Sequence, residues 1–581
     1  MDGPVDVAAT FCATVVDEWA RAGLTDAVVA PGSRSTPMAL ALAAEPRIRL
    51  HVFVDERSAA FFALGIGLRT GAPALVLTTS GTAAAELHPA VVEAHHAGVP
   101  LLAVTADRPP EAHGVGAPQT IEQGDLYGGA VRWRADPGVP DAAAWRGWRS
   151  LASRAVAEAR GAGGRPGPVH LNLAFREPLV GRPGPLPPGR DGGAAWHRVS
   201  VAPRATPASP HQMAEMAEMA GRLSGRTGVI VAGAGTGDPA VVHRLAGQLG
   251  WPVLADARSP ARVPGPATVA AYDAILRHGP FATRIRPEIV VRLGATPASR
   301  VLAGWLASSP AEQVAVEPHG VWLDAERSLA TLLVAEPDDV CTALVDQEPK
   351  PAPDSWAQVW ADAERAAQEA IVRTLAGHGE PTEPGIARDL VSCLPSGAGL
   401  VVASSMPIRD VEWYAPARPG LHVMANRGAN GIDGTVSTIL GAAAASSGRP
   451  TVGLVGDLAF LHDAGALVGA AGRGLDAVIV VVDNKGGGIF SFLPQATSVA
   501  FPLAERLFGT PHDVNLVALA GVHRLRALEL GRADQLAPAV TSGLASGGIT
   551  VIVARTDRQA NVRVHDEIHA AVAAAVAGLG V

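Results

Sequence analysis

Residues 451–490, TVGLVGDLAFLHDAGALVGAAGRGLDAVIVVVDNKGGGIF, decide the fold. Two apolar, β-branched runs, 451–455 and 477–482, are each the length of a buried strand and lack the alternation of a half-exposed one. The Ala/Gly-rich stretch between them, 460–472, predicts a crossover helix. A strand, helix and strand of this length form a right-handed βαβ unit, which places both strand tips on one sheet edge. Those tips read Gly456-Asp457-Leu458 and Asp483-Asn484-Lys485-Gly486, so Asp457 and Asn484 become neighbours across a whole helix. A carboxylate, an amide oxygen and the adjacent Gly486 carbonyl are hard oxygen donors of the kind Mg²⁺ takes (Mn²⁺ is also compatible), with water and phosphate filling the remaining positions. Gly456 allows close approach, and a helix amino end after Leu458 suits a phosphate. By themselves the same residues also read as ordinary helix caps after core strands.

Outward from this unit, strands are predicted at 400–403 and 421–425, following a long helical stretch that begins beyond the Pro-rich link near 345–357. The amino-terminal third has the same grammar, with buried parallel strands expected at 26–30, 50–54, 74–78 and 100–105. A Pro/Gly-rich passage at 178–194 reads as a linker or long surface connection. A second region opens at about residue 200, with strands at 228–232, 252–255 and 289–293. These observations predict an α/β protein of three parallel-sheet domains, 1–190, 191–355 and 356–581, with ligands outside the carboxyl ends of the strands. The first and third domains echo each other: HVFVDER (51–57) matches HVMANR (422–427), PALVLTTSG (73–81) matches PTVGLVGD (450–457), and VPLLAVTAD (99–107) matches LDAVIVVVD (475–483). The echo is either shared α/β grammar or two like-folded domains facing one extended ligand.

Composition narrows the class. The chain has 581 residues, 48% hydrophobic and 18% charged, enough to fill several cores. A net charge of −8 and sparse aromatics argue against a nucleic-acid surface and leave small anions as partners. Lys350 and Lys485 are the only lysines among 47 basic residues, so nearly all positive charge is guanidinium. Cys12, Cys341 and Cys393 are too few and too scattered for a disulfide framework or a zinc site. The early acids and strand-sized apolar runs predict neither a secretion leader nor a membrane span, hence a cytoplasmic protein.

Further candidates lie at strand ends. Glu56 follows a strand and opens an apolar helix, where it reads as a capping acid or as a carboxylate held at a buried sheet edge. Arginines mark four tips, Ser33-Arg34-Ser35, Asp107-Arg108-Pro109, Arg409-Asp410 and Asn426-Arg427-Gly428. If they converge, they suit a substrate with several carboxylates, because a guanidinium binds carboxylate bidentately and stays charged when desolvated. The run VIVAGAGTG (229–237) lacks the last glycine of a dinucleotide fingerprint, since Asp238 stands there, and is expected to be a tight turn. His95 and His96 are adjacent on a helix, so their rings should diverge and bind no metal.

Over nearly its whole length the chain resembles the thiamine-diphosphate-dependent enzymes, and within them most closely the MenD family of the menaquinone pathway. PGSRSTP (31–37), DERSAAFFALG (55–65), TADRPPE (105–111) and GAPQTIEQ (116–123) look like the family's pyrimidine-binding domain. SSMPIRD (404–410), NRGANGIDG (426–434), GDLAFLHD (456–463) and DNKGGGIFSFLPQ (483–495) look like its diphosphate-binding domain, with a central domain between the two. The resemblance implies that Glu56 activates thiamine diphosphate, that Asp457, Asn484 and the Gly486 carbonyl hold the metal, and that Leu458, Ile432, Ile489 and Phe490 line the cofactor. It also nominates Ser33, Arg34, Arg108, Gln119, Arg300, Ser405, Arg409 and Arg427 for substrate.

The implied reaction decarboxylates 2-oxoglutarate and adds the four-carbon remainder to isochorismate in a 1,4 sense. The implied assembly is at least a homodimer whose sites draw on two subunits. Three positions depart from the family pattern: Leu458 replaces a glycine, Lys485 replaces an asparagine, and Ser299 stands where a basic residue is frequent. The alternatives are another thiamine-diphosphate 2-oxoacid decarboxylase or carboligase, a fold-retaining scaffold without activity, and, least favoured, a nicotinamide oxidoreductase.

Overall fold

The computed structural model describes residues 5–199 and 210–580, and the expected opening of the second region at about 200 lies outside them. Three six-stranded, all-parallel sheets organise the chain. The first contains β1 (Asp26–Val29), β2 (Arg49–Val52), β3 (Ala74–Thr78), β4 (Leu101–Asp107), β5 (Trp133–Ala135) and β6 (Pro168–Ala174) in the order β2-β1-β3-β4-β6-β5. The second contains β7 (Gly228–Ala232), β8 (Val253–Ala255), β9 (Thr268–Val269), β10 (Ile289–Leu293), β11 (Glu312–Val316) and β12 (Thr331–Leu333), ordered β12-β11-β10-β7-β8-β9. The third contains β13 (Gly399–Val402), β14 (His422–Met424), β15 (Thr451–Gly456), β16 (Ala477–Asp483), β17 (Arg526–Leu530) and β18 (Ile549–Arg555), ordered β14-β13-β15-β16-β18-β17.

The first and third sheets therefore share one strand order, and each pair of echoing segments occupies the same place in it: β2 with β14, β3 with β15, β4 with β16. In this order ligands gather where the connections reverse direction, between the first and third strands of each sheet. Central strands such as β3, β4, β6 and β16 are buried throughout, as an apolar strand covered by helices on both faces must be.

Several expectations need correction. The predicted helix over 460–472 is a short helix, Asp457–His462, followed by two 3₁₀ turns at Ala464–Leu467 and Ala470–Gly472. Gly465, Gly469 and Gly472 weaken it, and Gly469 takes φ 72°. The segment 50–54 is no buried strand: β2 is the sheet edge, and Val52 and Val54 are 55% and 74% exposed. The His95 and His96 rings do not diverge but lie 5.1 Å apart edge to face, while the Arg132 guanidinium holds His95 through its ring nitrogen and its carbonyl. Strands β5, β6, β9, β11, β12, β17 and β18 were not anticipated; in β6, buried His170 and Asn172 interrupt the apolar run. The Pro/Gly passage lies along the first domain, where Arg149 donates to Pro187 O at 2.9 Å and Arg21 to Arg190 O at 3.1 Å.

The helices Glu56–Thr70 and Thr435–Ala444 join the first and third domains with their backbones nearly in contact. A Cβ on Gly65 would overlap Thr438 O, and one on Gly441 would overlap Phe62 O. Two buried carboxylates bridge the same seam. Glu93 accepts the N–H groups of Gly428 and Ala429 at 2.6 Å each, and Asp463 accepts Ser437 N–H at 2.6 Å and the Ser58 hydroxyl at 3.2 Å. Gly65→Ala should cost about 1–3 kcal/mol, because the contact it meets is rigid backbone. Gly221→Ala, in the open interior of another helix, should be neutral or stabilising. Unfolding midpoints of the two variants check this.

Candidate functional site

The third sheet supplies the most constrained group. Asp457 opens its helix and is 2% exposed; Oδ1 accepts Leu458 N–H at 2.6 Å and Oδ2 accepts Gly486 N–H at 2.8 Å. The helix thus starts at Asp457 rather than after Leu458, and the Leu458 N–H is already engaged. Burial holds the Asp457 carboxyl above the usual carboxylate range, against the pull of those two N–H groups and of His512. Asn484 donates from Nδ2 to Glu383 Oε1 at 2.8 Å, while its buried Oδ1 has no partner. Gly486 (φ 144°) packs so tightly on Gly509 O that only glycine fits. Ligand-capable atoms of Asp457, Asp483 and His512 lie within 4.8 Å of one another.

A buried amide oxygen without a donor costs about 1–3 kcal/mol, and the desolvated Asp457 carboxylate at the tip of the adjacent strand adds to that cost. A cation bound by both would relieve the two together. The donor set therefore fits a hard divalent metal. Of the expected apolar lining, Ile432 and Ile489 are partly buried against two different cores, and Phe490 stacks at a tilt on Phe508 with 5.4 Å between centroids.

Glu56 begins the helix that follows β2, which Asp55 caps by accepting Ser58 N–H at 3.1 Å. Its half-buried carboxyl makes no side-chain hydrogen bond among the described residues. Burial, with the Asp55 and Glu86 charges, raises its pKa. Nearby tips of the first sheet carry a polar cluster. Arg34, behind exposed Ser33, donates to Phe175 O at 2.8 Å, and both burial and the neighbouring Arg108 depress its pKa. Arg108 donates to the Ser80 hydroxyl at 2.7 Å, Ser80 donates to Gln119 O at 2.9 Å, and Gln119 Nε2 returns a bond to Ser80 O at 2.9 Å.

A second guanidinium group spans the central and third domains. Burial lowers the Arg409 pKa, with Asp410 opposing and Arg300 adding to the shift; burial, Arg258 and Arg409 lower that of Arg427. Arg300 and Arg427 thus join Arg409 within one field, and Arg258 enters it anchored on Asp256 at 3.2 Å. Ser405, which caps the Arg409 helix, has φ 76° and offers its carbonyl to the Arg409 guanidinium. Gln119 (φ 56°) and Lys485 (φ 59°) share this left-handed backbone, a conformation kept where a site demands it.

The structure accordingly sorts the expected residues into three sets: Glu56, Ser33, Arg34, Arg108 and Gln119 on the first sheet; Arg300, Ser405, Arg409 and Arg427 around the second guanidinium group; and Asp457, Leu458, Asn484, Gly486, Ile489 and Phe490 at the third sheet's tips. Among the described residues no hydrogen bond or ion pair joins the first set to either of the others. Of the departures, Lys485 is exposed with Nζ 3.8 Å from Asp513, outside the donor set. Ser299 caps the Arg300–Ala307 helix and donates to buried Asp273. Sequence reasoning missed Glu383, His512, Ser80 and Arg258, none of which stands in a pattern that announces its destination; Glu383 is 101 residues from Asn484.

Comparison with known proteins matches three successive segments of the chain. Residues 10–126 match the thiamine pyrophosphate enzyme N-terminal TPP binding domain, 196–402 the middle domain of thiamine pyrophosphate enzymes, and 409–554 the C-terminal TPP binding domain. The 2-succinyl-5-enolpyruvyl-6-hydroxy-3-cyclohexene-1-carboxylate synthase of Geobacillus kaustophilus is 42% identical over 96% of this chain and 97% of its own. The synthases of Myxococcus xanthus (42%, covering 99% of each chain) and Thermobifida fusca (43%, covering 97% and 98%) are comparably similar. The chain belongs to this synthase family of thiamine-diphosphate enzymes. Among the described residues no helix is long and apolar enough to cross a membrane.

In this member of the synthase family the second guanidinium group should bind a dicarboxylate unaided. At ten times its dissociation constant, glutarate should stabilise the protein by about 1.4 kcal/mol. Butyrate at equal ionic strength should do less, and Arg409→Ala or Arg427→Ala should abolish the difference. Thermal denaturation with each anion reads the outcome.

Proposed function

We propose that this chain decarboxylates 2-oxoglutarate and joins the four-carbon remainder to isochorismate by 1,4-addition, in menaquinone biosynthesis. The observation that carries the reading is the pairing of two guanidinium groups with a buried oxygen-donor site, in a chain whose relatives bear the synthase name over their full length. Asp457, Asn484 Oδ1 and the Gly486 carbonyl would hold Mg²⁺ or Mn²⁺, and with it the diphosphate of thiamine diphosphate; Leu458, Ile432, Ile489 and Phe490 would shape its apolar bed. Thiamine diphosphate, when bound, supplies the electron sink that lets a 2-oxoacid lose carbon dioxide and its former carbonyl carbon attack an electrophile.

The protein's share is position and charge. Glu56, whose raised pKa favours keeping a proton, would share that proton with the aminopyrimidine ring nitrogen. The arginines, with Ser33, Gln119 and Ser405, would hold the carboxylates of donor and acceptor and fix their mutual approach.

The reading includes a homodimer at least, with each site drawing Glu56 from one subunit and Asp457 from the other. Support comes from the lack of any described contact between Glu56 and Asp457 or Asn484 within the chain, and from exposed Val52 and Val54 beside Glu56, which a second chain would cover. Free Cys12, Cys341 and Cys393 suit the reducing cytoplasm.

The test is mass-resolved product formation with thiamine diphosphate, Mg²⁺, 2-oxoglutarate and isochorismate, each omitted in turn. An adduct of the isochorismate skeleton plus the four-carbon unit, dependent on all four, is expected. Succinic semialdehyde alone would reject the acceptor, and no reaction despite bound cofactor would reject both substrates. Glu56→Gln should lower turnover by about 10²–10⁴-fold at saturating cofactor without changing the melting midpoint. Asp457→Ala should chiefly weaken metal and cofactor affinity, read by titration calorimetry.

A further inference from the structure

Glu383 opens the helix Glu383–Cys393, placed there by Thr382, whose hydroxyl oxygen accepts Gly385 N–H at 3.2 Å. The helix leads its side chain inward instead of to solvent, and the residue is 3% exposed. Its Oε1 accepts Asn484 Nδ2–H at 2.8 Å and the Thr556 hydroxyl at 3.2 Å. No arginine or lysine pairs with it among the described residues, and the nearby His565 is engaged by Asp410 at 2.8 Å. A buried carboxyl with only an amide and a hydroxyl as partners is an expensive element, and neither the fold nor the residues assigned above call for it.

Its geometric effect is specific. An asparagine amide has a donating end and an accepting end, and the two can exchange by rotation of the group. With Glu383 on one side, the exchanged orientation would set Asn484 Oδ1 against a carboxylate oxygen. The observed orientation turns Oδ1 the opposite way, to where it is buried and partnerless. Gly488 completes the fit, because a Cβ there would come within 2.6 Å of Asn484 Nδ2.

We infer that Glu383 is a positioning residue that locks the Asn484 amide with its oxygen facing the metal, an inference that rests on Asn484 being a metal ligand. Groups that orient a ligand from behind typically change metal affinity by about 10–100-fold when removed. What matters in this arrangement is a group of the right reach that accepts from the amide and offers it no N–H in return.

The experiment measures Mn²⁺ affinity of the full-length protein with saturating thiamine diphosphate, using the electron paramagnetic resonance signal of free Mn²⁺. Glu383→Leu should weaken binding by about 10–100-fold. Glu383→Gln, which keeps the length but can turn its own NH2 to Asn484 Oδ1 and so admits the exchanged orientation, should recover only part of it. Glu383→Asp, which keeps the charge but retracts the acceptor and spares the fold if the leucine variant does not survive, should also bind worse than the parent. In an Asn484→Ala background, substitution of Glu383 should cause no additional loss. The inference is overturned if Glu383→Asp binds like the parent, which would make the effect one of charge rather than reach, or if losses at 383 and 484 simply add. Parental affinity in Asn484→Ala itself would overturn the metal-site reading and this inference together. Loss in Asn484→Ala with parental affinity in all three Glu383 variants would overturn this inference alone.

Discussion

The backbone-to-backbone seam between the helices Glu56–Thr70 and Thr435–Ala444 is the constraint on which the remaining arrangement depends. Each helix begins at a strand tip of its own sheet, so the seam sets where the tips of both sheets stand. Gly65 and Gly441 let the axes approach, and Gly434, at φ 63°, lies flat on the Phe61 ring. Dispersion and excluded water act at full strength only at such close range. The Glu93 carboxylate then caps loop N–H groups of the opposite domain, while Asp463 takes the Ser437 N–H of its own domain and reaches across the seam to the Ser58 hydroxyl.

That rigid frame tolerates buried charge that a single small domain would not. Asp457, Asp410, Glu412 and Glu383 are almost wholly enclosed, and burial raises the pKa of each. Their partners are fixed groups: His565 for Asp410, Tyr272 and the Ala257 N–H for Glu412, Asn484 for Glu383. The central domain contributes through this network rather than through its glycine loop. Gly233 and Gly294 are spent on letting the loops after β7 and β10 pass one another, since a Cβ on either would strike the opposite backbone. The incomplete fingerprint at 229–237 is thus explained by packing, although the central sheet has the strand arrangement often used for dinucleotides.

Legibility in the sequence tracked how local the determining physics was. β7 and β10 are local, uninterrupted apolar runs and were readable to the residue; so was the adjacency of the β15 and β16 tips that carry Asp457 and Asn484, because one β-crossover-β unit contains both. β6 was hidden because His170 and Asn172 are polar residues satisfied by Thr105, a partner 65 or more positions away. The edge position of β2 could not be read, since Leu50, Val52 and Val54 look the same whether a sheet or another chain covers them. The 460–472 helix failed for a local reason: alanine content outweighed three glycines in the reading but not in the structure. Glu383, Ser80 and His512 were illegible because each acts through an atom supplied by a remote segment.

The preference for arginine over lysine, neutral as a compositional fact, acquires a physical sense at the second guanidinium group. Arg258 and Arg409 depress the pKa of partly desolvated Arg427, and Arg300 that of Arg409, in both cases adding to the larger effect of burial. An ammonium there would be driven towards neutrality, because its ordinary pKa leaves little margin against burial plus like charge. A guanidinium starts high enough to remain charged after both penalties, and its planar fork can be tied down in advance, as Arg258 is by Asp256 and Arg409 by the Ser405 carbonyl. The positive field is therefore assembled in advance of any anion, as the proposed binding of carboxylates there requires. Lys485 is consistent with this division of labour: an ammonium beside the metal tips turns outward to Asp513, leaving the interior to groups that cannot lose their charge.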